Sequence, residues 1–124
     1  MKTRIYYDDT DAGGVVYHAN YLTLCERARS DLFYERGMSP AVNGGHFVVK
    51  HLEADYLKSA KLGDLIEVKS ELVELKNASL VLKQTIYKEE AVLFRMVATL
   101  AYVKEGKPSR IDEDTKAFFL SLKA

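Results

Sequence analysis

The chain has 124 residues, and its 18 lysine and arginine residues balance its 18 aspartate and glutamate residues. This length predicts a single domain over residues 1–124. The zero net charge argues against a nucleic-acid-binding protein that works through bulk basic charge. The single cysteine excludes an internal disulfide and any multi-cysteine zinc site, which favours the reducing cytoplasm.

Neither end nor middle of the chain has the pattern of a targeting or membrane segment. The first residues reach Asp8 without an apolar run, unlike a secretory signal peptide. The longest apolar stretch, residues 96–103, is too short to cross a bilayer. We therefore expect a soluble cytoplasmic protein with no transmembrane segment.

A short strand, a loop and a long helix are predicted in the first third of the chain. Residues 2–8 are rich in Ile and Tyr, which predicts a strand, and residues 9–19 read as a loop. We predict a helix over about residues 20–36, with Asn20 as its N-cap and Gly37 as its stop signal. The helical spacing rests on five apolar residues: Tyr21, Leu24, Cys25, Ala28 and Leu32.

The rest of the chain predicts a sheet and a short C-terminal helix. Short turns separate the strands, so antiparallel pairing is expected, with residues 91–103 as a buried central strand. The fold class is α+β, in which a long helix covers one face of a curved antiparallel sheet of about five strands. The predicted elements are strands at 46–57, 65–75, 79–88 and 91–103, and a helix at 112–122.

Parity assigns side chains to faces in the predicted strand 46–57. Val48 has the parity of the apolar residues Leu52, Ala54 and Tyr56, and is expected on their face. His46 and His51 are an odd number of residues apart, so we expect them on opposite faces. On the helix, Cys25 is expected to be a small buried apolar residue, and Arg27 and Arg29 are expected to be surface charges.

The unusual chemistry of the chain is concentrated in residues 6–21, directly before the long helix. This stretch holds three aspartates, two glycines and one histidine. A helix N-terminus offers unpaired backbone N–H groups and a partial positive charge, which can stabilise a developing oxyanion or bind a phosphate. A carboxylate in the same loop can act as a base or a nucleophile, and Asp11 is a candidate. The alternative for Asp11 is a turn residue with local hydrogen bonds.

Metal binding by this loop is not favoured. Asp9, Asp11 and the glycines imitate the start of an EF-hand, but the twelfth position is Asn20, where calcium requires a bidentate glutamate. The three histidines have no spacing that suggests a zinc site. We predict no metal site.

The stretch from Tyr7 to Tyr21 reads Tyr-Asp-Asp-Thr-Asp-Ala-Gly-Gly-Val-Val-Tyr-His-Ala-Asn-Tyr. It resembles the signature of the hotdog acyl-CoA thioesterases of the 4-hydroxybenzoyl-CoA thioesterase/YbgC family. The continuation Glu26-Arg27-Ala28-Arg29 is similar to the YbgC branch, and the run Asp55 to Ala60 is a weaker match. The resemblance extends over nearly the whole chain and implies a hotdog fold.

The resemblance also implies an activity and its residues. It implies hydrolysis of an acyl thioester to a free acid and CoA, with Asp11 as general base or nucleophile. It implies that the backbone N–H of His18 is the oxyanion donor; the role of the His18 side chain stays open. Tyr7 either lines the acyl channel or is a core aromatic of a strand. The expected substrate-binding residues are Tyr7, Gly13, Gly14, Val15, Tyr21, Lys76 and Arg110.

The implied partners are an acyl-CoA or an acyl carrier protein thioester, and a second copy of the chain. The family's sheets join into a homodimer that often pairs into a homotetramer. No cofactor is expected, since CoA is part of the substrate. Two alternatives stay open: a non-catalytic module that binds acyl-CoA or acyl carrier protein, and a partner of the Tol-Pal envelope complex.

Overall fold

The computed structural model describes residues 1–123. Two helices and six strands follow one another, with a single 3₁₀ turn at Tyr7–Asp9 after the first strand. The elements in chain order are β1 (Lys2–Arg4), α1 (Asn20–Tyr34), β2 (His46–Tyr56), β3 (Leu65–Leu75), β4 (Ser79–Lys88), β5 (Ala91–Lys104), β6 (Lys107–Pro108) and α2 (Glu113–Leu120).

The sheet is curved, open and antiparallel throughout, with the strand order β1-β3-β4-β5-β2 and with β6 paired to the end of β5. This confirms the predicted α+β class. The four long strands agree with their predicted bounds to within one residue. β5 lies between β4 and β2, as expected of a strand that is apolar on both faces.

Helix α1 packs its apolar stripe against the sheet, and α2 closes the far end of the core. Phe33, near the end of α1, stacks on Phe118 of α2 at 4.5 Å between ring centroids. Gly37 ends the helix with φ of 69°, and the N–H groups of Gly37 and Met38 donate to the carbonyls of Tyr34 and Phe33. This is the two-bond arrangement that glycine favours after a helix.

One polar residue is buried in the otherwise apolar layer between α1 and the sheet. Gln84 of β4 is fully buried, and its Nε2 donates to the Cys25 carbonyl at 2.9 Å and to the Ser70 hydroxyl at 3.0 Å. Its Oε1 accepts from the Arg29 guanidinium at 2.9 Å. A buried amide with its hydrogen bonds made restricts the two layers to one relative position.

The predicted strand over residues 2–8 is too long. β1 ends at Arg4, and residues 7–9 form a 3₁₀ turn instead. The Asp9 carboxylate accepts the Tyr6 backbone N–H at 3.0 Å, and the Asp9 N–H donates to the Tyr6 carbonyl. These local hydrogen bonds compete with strand pairing.

The predicted helix start and end also need correction. Ala19 occupies the N-cap position, and the Asn20 side chain donates instead to the Asp9 carbonyl at 2.9 Å, which ties the helix start to the preceding loop. The helix ends at Tyr34 rather than at residue 36, because the bonds around Gly37 terminate it.

The face prediction for strand 46–57 is wrong before residue 50, because β2 has a bulge between Val49 and His51. The extra residue reverses the parity, so Val48 lies on the outer face, opposite Leu52. His46 and His51 pair with Val103 and Thr99 of β5. These partners are four residues apart, so the two histidines share the outer face.

We expect Gln84→Leu to lower the free energy of unfolding by about 1–3 kcal/mol, since Arg29 and Ser70 each lose a buried hydrogen-bond partner. Urea denaturation measures the change. Lys83→Leu is the control, because Lys83 lies on the outer face of the same strand and should shift the value by less than about 0.5 kcal/mol. Equal changes in both variants would contradict the role of Gln84.

Candidate active site

The loop before α1 is a tight hairpin with Asp11 at its tip. Thr10 forms a bridge with Val16, the Asp11 N–H donates to the Val15 carbonyl at 2.9 Å, and the Gly14 N–H donates to the Asp11 carbonyl at 3.1 Å. The chain therefore reverses over five residues and returns directly to the start of the helix.

The Asp11 carboxylate is exposed and held within this turn. Its Oδ1 accepts the Gly13 backbone N–H at 2.8 Å. A Cβ on residue 13 would lie 3.2 Å from the same oxygen, and Gly14 has φ of 79°, in the left-handed region. Both positions therefore favour glycine, because a side chain at residue 13 would crowd the carboxylate and one at residue 14 would strain the turn.

The hairpin is attached to the chain segment that precedes β3. The Val16 N–H donates to the Ala60 carbonyl at 2.9 Å, Val15 forms a bridge with Lys61, and the Leu62 N–H donates to the Gly14 carbonyl. This attachment holds the carboxylate of an otherwise exposed loop in one place relative to the sheet.

The start of α1 lacks the capping found at α2. The N-cap residue Ala19 has no side-chain cap, and the first turn has no acidic residue. At α2, Asp112 caps the Thr115 N–H, and two acidic residues follow. Within residues 1–123, the backbone N–H groups of His18 and Ala19 have no hydrogen-bond acceptor. The positive end of α1 is thus left without a negative partner from the chain.

A cavity of about 270 Å³ lies beside this helix start. The Tyr56 hydroxyl donates to the His18 carbonyl at 2.8 Å, and the Tyr21 hydroxyl accepts the Ala60 N–H at 2.9 Å. Burial, with a smaller contribution from Tyr21 and Cys25, raises the pKa of Tyr56, which keeps it a hydrogen-bond donor. The cavity is lined by Val16, His18, Tyr21, Tyr56, Leu57, Lys58 and Ser59.

The expected residues Gly13, Gly14 and Val15 thus lie in the hairpin with Asp11, and Tyr21 lies beside His18. Tyr56 was missed, although it belongs to the run Asp55 to Ala60. In the sequence, Tyr56 is an aromatic residue at the end of a strand with alternating apolar residues. That pattern predicts a core position and not a hydrogen bond to the helix start.

Tyr7 is not a core aromatic, because it lies in the 3₁₀ turn with 81% of its surface exposed. Lys76 and Arg110 lie at the other end of the sheet. Lys76 follows β3, and the Ile111 N–H, next to Arg110, donates to the carbonyl of Asn77. β3 has 11 residues, so its two ends are about 30 Å apart at about 3.3 Å per residue. Within one chain these basic residues are not brought to Asp11.

Burial raises the pKa of the Cys25 thiol to about 12, against an opposing effect of Arg29, so this buried side chain is a packing residue and not a nucleophile. Over residues 1–123, neither helix combines the length and apolar character needed to cross a membrane.

Comparison with known proteins assigns the family. The model of the thioesterase superfamily matches residues 13–94, well over half of the chain. The chain belongs to the thioesterase superfamily. Asp11 lies two residues before the matched segment, which includes α1, β2, β3, β4 and the first four residues of β5. The predicted resemblance is confirmed.

Several curated relatives of this thioesterase-superfamily chain are named YbgC. The acyl-CoA thioesterase YbgC of Helicobacter pylori is 46% identical over 87 residues, which are 70% of this chain and 65% of the relative. The match thus spans somewhat less than two thirds of that protein. The acyl-CoA thioesterase YbgC of Haemophilus influenzae is 39% identical over 99% of this chain and 95% of its own length.

Solved structures agree on the hotdog fold. A probable thioesterase from Bartonella henselae has a TM-score of 0.85 and 32% identity, and the match covers 90% of this chain and 97% of that one. A thioesterase from Thermus thermophilus, solved with coenzyme A and zinc, has a TM-score of 0.83 and 26% identity, with 99% and 92% covered.

Proposed function

We propose that this protein hydrolyses acyl-CoA thioesters to a free acid and CoA. The observation that carries the proposal is that one short hairpin joins the carboxylate of Asp11 to an uncapped helix start at His18. The names of the YbgC relatives, at 46% and 39% identity, support the same activity. The acyl carrier protein is the alternative carrier, since its thioesters present the same reacting bond.

In the proposed mechanism, the Asp11 carboxylate activates the attacking group or attacks the thioester itself, and the backbone N–H of His18 stabilises the charge that develops. Asp11 either removes a proton from water as the water attacks the thioester carbonyl, or attacks the carbonyl itself and forms an anhydride that water then opens. In both routes the C–S bond breaks and the sulfur leaves as the CoA thiol after taking up a proton. The carboxylate is well suited to either task because the Gly13 N–H holds one of its oxygens while the group stays exposed.

The backbone N–H of His18 stabilises the negative charge on the carbonyl oxygen. It has no acceptor within residues 1–123, and it lies at the positive end of a 15-residue helix. A donor that is already oriented needs no rearrangement when the charge develops, and removal of such a donor costs about 10²–10³ in turnover. The His18 side chain is not needed for this role.

Tyr56 is a positioning residue for this oxyanion site. Its hydroxyl holds the His18 carbonyl, so it restrains the peptide between His18 and Ala19. The edge of its ring packs on Phe94 at 4.9 Å between centroids, and Tyr21 meets it at 5.4 Å. A residue fixed in this way restricts the rotation of the peptide planes at the helix start.

The active form contains at least two copies of the chain, as a homodimer or a homotetramer. β2 is an edge strand of the sheet, and its apolar residues Val48 and Val49 are both exposed. Such an edge is open to pairing with another strand. A second copy would also be needed for Lys76 and Arg110 to serve CoA phosphates near Asp11, because one chain places them at the far end of the sheet.

We expect Asp11→Asn to lower kcat for acyl-CoA hydrolysis at least about 100-fold, because the amide can neither accept a proton nor attack the carbonyl. Thiol release from a panel of short, long and aromatic acyl-CoAs measures the change. The hydrogen bond from the Gly13 N–H can still form to the amide oxygen, so the fold is retained.

Asp8→Asn is the matched control, since Asp8 is an exposed acidic residue of the same loop and should leave kcat unchanged. An Asp11→Asn enzyme with more than a tenth of the wild-type activity would contradict the role of Asp11. Release of no thiol by the wild type from any CoA ester, followed by none from acyl carrier protein esters, would contradict the proposed function.

We expect His18→Pro to lower kcat by about 10²–10³, because proline removes the proposed oxyanion donor. His18 is the second residue of a turn closed by the Asn20 N–H and the Tyr17 carbonyl, and Ala19 has φ of −70°. Proline is favoured at this position of such a turn, so the helix start should keep its shape. His18→Ala keeps the backbone N–H and should retain most of the activity. Equal losses in the two variants would instead assign the role to the side chain.

We expect Tyr56→Phe to lower kcat about tenfold while KM stays unchanged, because the ring still packs but the peptide between His18 and Ala19, which adjoins the donor N–H, is no longer held. Steady-state kinetics measure both constants. The control is a double-mutant cycle: in the His18→Pro background, the Tyr56→Phe change should have little further effect on kcat. Additive losses would show that Tyr56 does not act through His18.

A further inference from the structure

A second and larger cavity, of about 360 Å³, lies along the C-terminal half of α1. It shares no lining residue with the cavity beside His18. Its volume lies within the range typical of small-molecule sites. Its walls come from α1, the loop before β2, the sheet and α2, and include Arg29, Phe33, Ala41, Leu82, Leu100 and Phe118.

The floor of this cavity is apolar, and its rim includes both polar and apolar residues. Leu82, Leu100 and Phe33 are buried, and Phe33 stacks on Phe118 and on Phe47 at 4.5 Å and 6.5 Å between centroids. At the rim, Ser39, Ala41 and His46 are exposed. A buried aromatic and aliphatic floor suits a hydrocarbon or aryl group, because the bound group leaves water.

Arg29 is the charged residue set most deeply into the wall. It is half-buried, and its guanidinium donates to Gln84 at 2.9 Å. No carboxylate among residues 1–123 forms an ion pair with it. Burial lowers the pKa of Arg29, with smaller opposing effects of Cys25 and Glu26. A partly desolvated cation without an anionic partner is stabilised by a bound anion.

Glu26 is the acidic residue of this wall, and its carboxylate repels a bound anion only weakly. It lies one turn before Arg29 on α1, is exposed, and its carboxylate accepts the Ser30 hydroxyl at 3.1 Å. Water screens an exposed charge far more than a half-buried one. The half-buried Arg29 therefore influences a bound anion more than the exposed Glu26 does.

We propose that this cavity binds a free carboxylic acid with a hydrocarbon or aryl tail, its carboxylate on the Arg29 guanidinium and its tail on the floor formed by Phe33, Leu82 and Leu100. The guanidinium fork suits a carboxylate, and Gln84 holds it in place. A neutral apolar molecule would leave Arg29 without an anion. A free acid is also the class of product that thioester hydrolysis releases, but the binding uses neither Asp11 nor His18.

Decanoate is the probe, and isothermal titration calorimetry measures its affinity below the concentration at which it self-associates. The wild type and Asp11→Asn should bind decanoate equally, so the result is independent of turnover. Decanol, which has the same tail without the charge, should bind at least about tenfold more weakly. Failure of the proposed hydrolysis would leave this experiment unaffected.

Two variants test the location. Arg29→Gln should weaken decanoate binding about tenfold to a hundredfold and leave decanol binding nearly unchanged. Arg27→Gln is the matched control, because it removes an exposed arginine from the same helix and should leave both affinities unchanged. Ala41→Trp adds a ring at the exposed rim and should weaken both ligands without disturbing the buried floor.

Circular dichroism checks that each variant is folded, and Ala41→Trp tests the site independently of the hydrogen bond between Arg29 and Gln84. The proposal is overturned if the wild type does not bind decanoate, or if decanol binds as tightly as decanoate. It is equally overturned if either folded variant, Arg29→Gln or Ala41→Trp, binds decanoate with wild-type affinity.

Discussion

The burial of Gln84 between α1 and the sheet is the constraint on which the rest of the structure depends. Apolar packing alone is non-directional and would allow the helix to slide or turn on the sheet. Three hydrogen bonds to Cys25, Ser70 and Arg29 allow one register, because a displaced helix would leave buried polar groups unpaired. The position of the helix start, and of the hairpin tied to it, follows from this register.

The two ends of α1 then differ in a way that matters for function. Its C-terminal end is closed by the bonds around Gly37 and covered by the aromatic residues of α2. Its N-terminal end is left without a capping side chain or an acidic first turn, whereas α2 has both. An uncapped helix start costs stability unless something else satisfies it. In a hydrolase of thioesters, a developing oxyanion is a suitable partner, present only during the reaction.

Much of this architecture could be predicted from the sequence, because the long strands alternate clearly and their turns are short. The failures have local physical causes. The bulge at residue 50 reversed the two faces of β2 for the residues before it. Odd and even positions in the sequence do not reveal where such an extra residue lies. Tyr7 lies in a 3₁₀ turn because hydrogen bonds within residues 6–9 replaced pairing. Arg29 was expected at the surface, since the buried partner that holds it is 55 residues away.

The loop of the candidate site was more predictable than its surroundings, since Asp11, both glycines and His18 lie within eight residues and their geometry is set by local hydrogen bonds. Tyr56 comes from a distant strand, and only the fold brings its hydroxyl to the His18 carbonyl. The positions of Lys76 and Arg110 relative to Asp11 are likewise set by the fold and not by local hydrogen bonds. Because β3 is an extended strand about 30 Å long, one chain cannot bring its two ends together. A site that combines the carboxylate with these basic residues therefore requires a second copy of the chain, for which the open edge of β2 is the contact that we propose.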